Sequence, residues 1–141
     1  MKRVLIDTDV ILDFFFDRKP FSDDAAKILS LCESGKITGS VTSVIISNVY
    51  YLLRQTASHK KVVEKLIQLA TFMEVIPTSR ESVLQALNSG FTDFEDALQS
   101  FSAEADGRID VIITRNTKDF KHSSLGVMTP EHYLMALSLQ D

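Results

Sequence analysis

RVLID, residues 3–7, is the stretch on which the fold turns. Three large apolar residues, Val4, Leu5 and Ile6, stand in a row and stop at a carboxylate, Asp7. An unbroken apolar run of this length fits a strand buried on both faces, as in a parallel sheet covered by helices. A strand with one wet face would alternate instead. Outward from this run, further short strand signals occur at KITGSVT (weak, about 37–42), MEVI (73–76, closed by Pro77), IDVIIT (109–114) and the start of LGVMTPEHYLMAL (125–137).

Helical stretches separate them. VILDFFF (10–16) continues from the first strand as a helical turn or loop. In the next segment Ser22 is the expected cap, Asp23 and Asp24 suit the first turn, and Gly35 suits the end. Thr42 or Ser43 opens the apolar SVIISNVYYLLRQ. Residues 58–72 place Val62, Val63, Leu66, Ile67 and Ala70 on one helical stripe. A helix over 78–90 starts from Ser79 or Thr78. Another runs from about Asp93 to Ala105, with Phe94, Ala97, Leu98, Phe101 and Ala105 as its apolar side, and a last one has Pro130 in its first turn. Alternating strands and helices predict an α/β protein with a mostly parallel central sheet, and 141 residues suit a single domain, 1–141.

Composition narrows the function. With 45% hydrophobic and 24% charged residues the chain reads as globular, and no apolar run is long enough to span a bilayer. Asp7 and Asp9 interrupt the amino-terminal apolar run too early for a signal peptide, so a cytoplasmic, membrane-free protein is expected. One cysteine, Cys32, excludes an intrachain disulfide, and its helical spacing from Ile28 and Leu29 marks it as core. The three histidines lie far apart, without a zinc-ligand pattern. A net charge of −4 argues against a basic DNA-wrapping surface. It leaves room for an acidic cation site with local basic residues at 54–65 and 114–122.

In right-handed βαβ units, strand carboxyl ends and the amino ends of the following helices share one edge, where ligands bind. Asp7 follows the first strand, Asp93 and Asp96 open a helix, Asn116 and Asp119 follow IDVIIT, and Asn48 lies about a turn and a half into its helix. Carboxylates gathered there would repel one another unless neutralised, and hard oxygen donors suit Mg²⁺ or Mn²⁺. Taken singly, several have plain structural readings. Thr92 and Glu95 fit a capping box that Asp93 would support, Asp96 fits an exposed helix face, and Asp9 and Asp13 cap or solvate the turn after the strand. The shared edge favours the functional reading.

VLIDTDVILD (4–13), DFEDALQSFSAE (93–104), DVIITRNTKDF (110–120) and TPEHYL (129–134) together resemble the PIN domain family over nearly the whole chain, with Asp9 where the family motif usually has Asn. The resemblance implies a three-layer α/β/α sandwich and a Mg²⁺- or Mn²⁺-dependent ribonuclease, often the toxin of a toxin–antitoxin pair of the VapC type. Asp7, Asp96 and Asp119 match the family's acids, with Asp93 one turn away and Asn116 an alternative for the last. Asn48 stands where a Glu is usual, and an amide offers an oxygen without charge. The resemblance thus implies Asp7, Asp96, Asp119 and Asp93 around the metal, with Asn48 and Asn116 in support. Thr114 and Arg115, just past the strand, are placed to position a substrate phosphate, with Arg115 the better candidate for charge; a surface salt bridge is the equal alternative for Arg115. The implied partners are RNA, an antitoxin and a second copy. Phe14, Phe15 and Phe16 cannot all face inward from one helix, so part of that cluster is expected to meet another chain. Two alternatives differ in class: an inactive RNA- or protein-binding PIN module, from Asn48, and a haloacid-dehalogenase-like phosphatase, from DTD at a strand end.

Overall fold

A computed structural model describes residues 1–140. Five strands form one parallel sheet: β1 (Arg3–Ile6), β2 (Thr38–Thr42), β3 (Met73–Ile76), β4 (Val111–Ile113) and β5 (Gly126–Met128), in the order β3-β2-β1-β4-β5. Val4, Leu5 and Ile6 are each 0% exposed, as a run apolar on both faces requires. Between strands lie α1 (Thr8–Phe15), α2 (Ser22–Glu33), α3 (Ser43–Arg54), α4 (His59–Ala70), α5 (Arg80–Leu87), α6 (Phe94–Asp106) and a 3₁₀ turn over Thr117–Phe120; α7 (Pro130–Ser138) ends the chain. Helices α1 to α4 and α7 pack among themselves, while α5 pairs with α6 and α6 packs on β3 and the 3₁₀ turn, giving three α/β/α layers. Among the described residues, no helix is long and apolar enough to cross a membrane.

The chain builds β1, β2 and β3 toward one edge and then returns through α5 and α6 to lay β4 on the other side of β1. Strand order therefore reverses between β1 and β4, the place where such sheets open a crevice at their carboxyl ends. Local chemistry fixes the helix starts at that edge. Thr42 Oγ1 accepts from Ile45 N at 3.1 Å, Ser79 Oγ from Ser82 N at 3.1 Å, and Thr129 Oγ1 from His132 N at 3.2 Å. Gly107 ends α6 at φ 78° and Gly35 follows α2 at φ 77°, the left-handed conformation in which glycine carries no Cβ penalty.

Several expectations are corrected. VILDFFF is a full helix, α1, whose N-cap is Asp7 rather than Asp9 or Asp13. Ser22 is the first helical residue of α2 and buried, not its cap; Phe21 takes that position without a side-chain cap bond. In α4 the buried stripe is Val62 and Leu69, with Leu66 half-buried, while Ile67 and Ala70 face solvent, because only one narrow side of the helix meets β3 and α3. Helix α6 exposes Phe94 and Ala105 and buries Gln99, Ser100 and Ser102, since its partners line several of its sides. Of the three phenylalanines, Phe14 is 41% exposed and Phe15 and Phe16 are half-buried.

Gly39, the second residue of β2, is demanded by space. A Cβ there would stand 2.5 Å from Cys32 Sγ and 2.9 Å from Met73 Sδ. Gly39→Ala is expected to cost about 1–3 kcal/mol by overpacking, read from urea melts, and Cys32→Ala in the same chain should make the added methyl less costly. Unchanged stability for Gly39→Ala would contradict this packing.

Candidate active site

Asp7 ends β1 and begins α1. Its backbone N–H donates to Ile113 O at 3.0 Å, locking the end of β1 to β4, and its Oδ1 accepts from Thr8 N at 2.7 Å as the α1 cap. Its Oδ2 accepts from the buried Thr114 hydroxyl, at the end of β4, at 2.8 Å. Thr114 Oγ1 in turn accepts from Asn116 N at 3.0 Å. Two strand ends are thus joined through one carboxylate, which is 6% exposed.

Asp9 lies two residues on, in the first turn of α1. Its Oδ2 accepts from Arg115 N at 3.1 Å and stands 3.4 Å from Asn116 Nδ2, while its Oδ1 is buried without a partner, as is Thr8 Oγ1. Helix α6 brings the opposite wall. Asp93, not Thr92, is its N-cap: Asp93 Oδ1 accepts from Asp96 N at 3.0 Å, so the capping pair is Asp93 and Asp96 rather than Thr92 and Glu95. Glu95 instead accepts from Asn48 Nδ2 of α3 at 2.9 Å. Asp119 comes from the 3₁₀ turn.

These residues line one open cleft of about 590 Å³: Asp7, Asp9, Asp93, Asp96 and Asp119, with Asn48, Glu95, Gln99 and Asn116. Of the residues expected from sequence, only Thr114 and Arg115 are off its wall. Thr114 sits beneath it, holding Asp7. Arg115 is turned away: its Nε and Nη2 donate to the two oxygens of the fully buried Asp13, at 2.6 and 3.0 Å, and its guanidinium stacks over Phe21 at 4.0 Å. Asp13, expected to solvate a turn, is therefore the buried partner of a bidentate ion pair, since charge inside α1 is tolerated only when paired. The cation on the cleft wall is Arg18, whose Nη1 also stands 3.5 Å from Asp13 Oδ1.

Sequence reasoning missed Gln99, 3% exposed, which lies one turn after Asp96 on the same helix side; the i, i+3 spacing was the available signal. It also missed Arg18, whose place depends on a loop, and read Glu95 only as a capping partner, since its place depends on a contact between helices far apart in sequence.

The electrostatics show crowding. Burial raises Asp7 above its ordinary 3.8, with Asp93 adding to the rise and Thr114, Gln99 and Thr8 N opposing it. Asp9 is pushed to about 7, first by burial and then by Asp7. Asp96 also reaches about 7, by burial and then by the charges of Asp93, Asp7, Asp119 and Asp9. Among the described residues, no group of three or more His, Cys, Asp or Glu side chains is gathered closely enough to hold an ion as it stands. The donors nevertheless fit a hard divalent cation. They are all oxygens, they converge on one cleft, they repel one another without a counter-charge, and Asp9 Oδ1 and Thr8 Oγ1 are buried beside it with nothing to bind. Asp7, Asp9, Asp96 and Asp119 are the residues that could hold it.

Residues 3–118 match the family model described as PIN domain. Ribonuclease VapC1 of Aquifex aeolicus (strain VF5) is 26% identical over 137 residues, 94% of this chain and 93% of the relative. Among solved structures, a toxin–antitoxin complex from Klebsiella pneumoniae superposes with a TM-score of 0.68 at 24% identity, covering 90% of this chain and 97% of the other. FitAcB from Neisseria gonorrhoeae gives 0.70 at 17% identity, covering 92% and 99%. The phosphatase alternative finds no support in these matches.

A carboxyl whose folded pKa is raised stabilises the fold fully below its unfolded value, near 3.8, and that contribution is lost as pH rises through about 7. Solvent screening at this half-buried position discounts the effect, so Asp96→Asn should raise the melting temperature of the protein in EDTA at pH 8 by roughly 2–5 °C, about 1 kcal/mol at this size, and by less at pH 5. Thermal melts at both pH values check this; equal shifts, or a loss at pH 8, would contradict it.

Proposed function

The chain belongs to the PIN domain family, and from that premise we propose that it is a divalent-metal-dependent ribonuclease, the toxin of a toxin–antitoxin pair. The observation that carries this reading is the convergence of Asp7, Asp96 and Asp119, from β1, α6 and the 3₁₀ turn, on one cleft at the strand-order reversal. The relative named as a ribonuclease, matched over most of both chains, points the same way.

In this reading Asp7, Asp96 and Asp119, with Asp9 and Asp93 beside them, hold Mg²⁺ or Mn²⁺. When bound, such an ion would lower the pKa of a water and offset charge on the scissile phosphate and leaving oxygen. The chain's own residues do the rest. Thr114 and Thr8 N fix Asp7 so that its remaining lone pairs face the cleft. The amide of Asn116, at the rim, donates to a phosphate oxygen, and Arg18 supplies positive charge to the backbone. Arg115, committed to Asp13, acts as a brace that holds the β4 end in place rather than as a phosphate ligand. Tyr51, 67% exposed on the cleft wall, offers a ring on which an unpaired base can stack, which favours single-stranded RNA.

Protein partners belong to the same reading. The solved neighbours include toxin–antitoxin complexes, and Phe14, Phe15, Leu29, Leu69 and Phe72 line an apolar groove of about 250 Å³ away from the acidic cleft. That surface suits an antitoxin segment, and the exposed Phe14 suits contact with a second copy. Asn48 supports a second reading, an RNA- or protein-binding module without activity. Calorimetry separates the two: RNA binding without Mn²⁺ binding at millimolar concentration favours the module.

On single-stranded RNA with Mn²⁺ the protein should cleave, EDTA should stop it, and Asp7→Asn should lower the rate at least about 100-fold, roughly 3 kcal/mol of barrier. Cleavage that survives either EDTA or the substitution would remove the proposal.

A further inference from the structure

We propose that Glu95, held across the cleft by Asn48, is a working carboxylate of the cation site and that Asn48 is its positioning residue. The inference rests on the reading of the cleft as a divalent-cation site.

Glu95 lies on the first turn of α6, between the N-cap Asp93 and Asp96, on an otherwise exposed part of the helix. An isolated glutamate there would swing into solvent, because every neighbouring acid repels it and fixing its rotamers costs up to about 2 kcal/mol. It is instead tied to Asn48 Nδ2 on α3, 47 residues earlier, at 2.9 Å. Both residues line the cleft that holds Asp7, Asp9, Asp96 and Asp119. Only one oxygen of Glu95, Oε2, is engaged by the amide, which leaves Oε1 for another partner.

The type of residue 48 matters. A carboxylate at that place would stand within hydrogen-bond distance of Glu95 and push it away; a neutral amide attracts it. Asn48 therefore brings a negative charge to the α3 side of the cleft without carrying one. A second observation points to a ligand in the same cleft: Asp9 and Thr8 also line it, and Asp9 Oδ1 and Thr8 Oγ1 are buried with no hydrogen-bond partner. A protein that needed only a capped helix would not gather an unpartnered carboxylate oxygen and a tethered glutamate around one opening.

The test is Mn²⁺ affinity of the full chain, measured by calorimetry and by the loss of the free-Mn²⁺ electron paramagnetic resonance signal. Glu95→Gln, Asn48→Ala, the double variant and Asp96→Asn are compared with the unaltered protein, and cooperative melting in EDTA establishes that each is folded. Glu95→Gln should weaken binding about tenfold, and Asn48→Ala should weaken it severalfold. The double variant should bind as Glu95→Gln does, because Asn48 acts through Glu95. An unchanged affinity for Glu95→Gln, or losses that multiply independently in the double variant, would overturn the inference. If the unaltered protein takes no Mn²⁺, the cation reading falls and this inference with it. If Asp96→Asn abolishes binding while Glu95→Gln keeps it, only this inference falls.

Discussion

Everything at the sheet edge depends on how one carboxylate is held. Asp7 is where β1 stops, where α1 is capped and where β1 is tied to β4, through its own N–H to Ile113 and through its Oδ2 to the Thr114 hydroxyl. A buried carboxylate is costly unless hydrogen-bonded. Asp7 meets that requirement with one backbone donor at the start of α1 and one hydroxyl at the end of β4, both supplied by junctions that the fold must make anyway. The structural bond and the exposed face of the carboxyl are thus two uses of one group, and neither strand end can move without disturbing the cleft.

Around that anchor the chain assembles charge that a folded protein would ordinarily avoid. Burial and mutual repulsion raise Asp9 and Asp96 to about 7, so without a counter-ion the cleft at neutral pH holds carboxyls only partly ionised. A cation that entered would be met by groups able to give up those protons, which couples its binding to pH. The side chains stand apart rather than forming a finished cage, as expected of acids that repel one another across an open cleft. By contrast, Asp13 is deeper still but paired with Arg115 and with Arg18, and its charge is structural. Adjacent acids on one short helix have opposite employments because one faces the cleft and the other faces a guanidinium.

Much of this was legible in the residues. RVLI and the other short apolar runs gave the parallel sheet, because a strand buried on both faces leaves an unbroken pattern. Asp7, Asp93, Asp96, Asn116 and Asp119 could be placed on one edge from their positions after strands and at helix starts, since topology alone brings those ends together. What could not be read were contacts between segments distant in sequence. Arg115 follows a strand in the way a phosphate-binding residue would, yet its guanidinium goes to Asp13, about a hundred residues earlier. Asp9 and Asp13 looked like turn acids because no local pattern announces the partner of a buried charge. Glu95 fitted a capping box with Thr92, and only the placement of α3 against α6 shows it bonded to Asn48.

The central claim is that separate segments present their carboxylates to one divalent ion. Its most direct measurement is a crystal of the protein soaked in Mn²⁺, with anomalous scattering collected near the manganese edge. The account predicts an anomalous peak in the cleft with Asp7 and Asp96 oxygens at roughly 2.0–2.2 Å, close to the distances of comparable hard ions. An empty cleft at millimolar Mn²⁺, or a peak bound elsewhere on the surface, would contradict it.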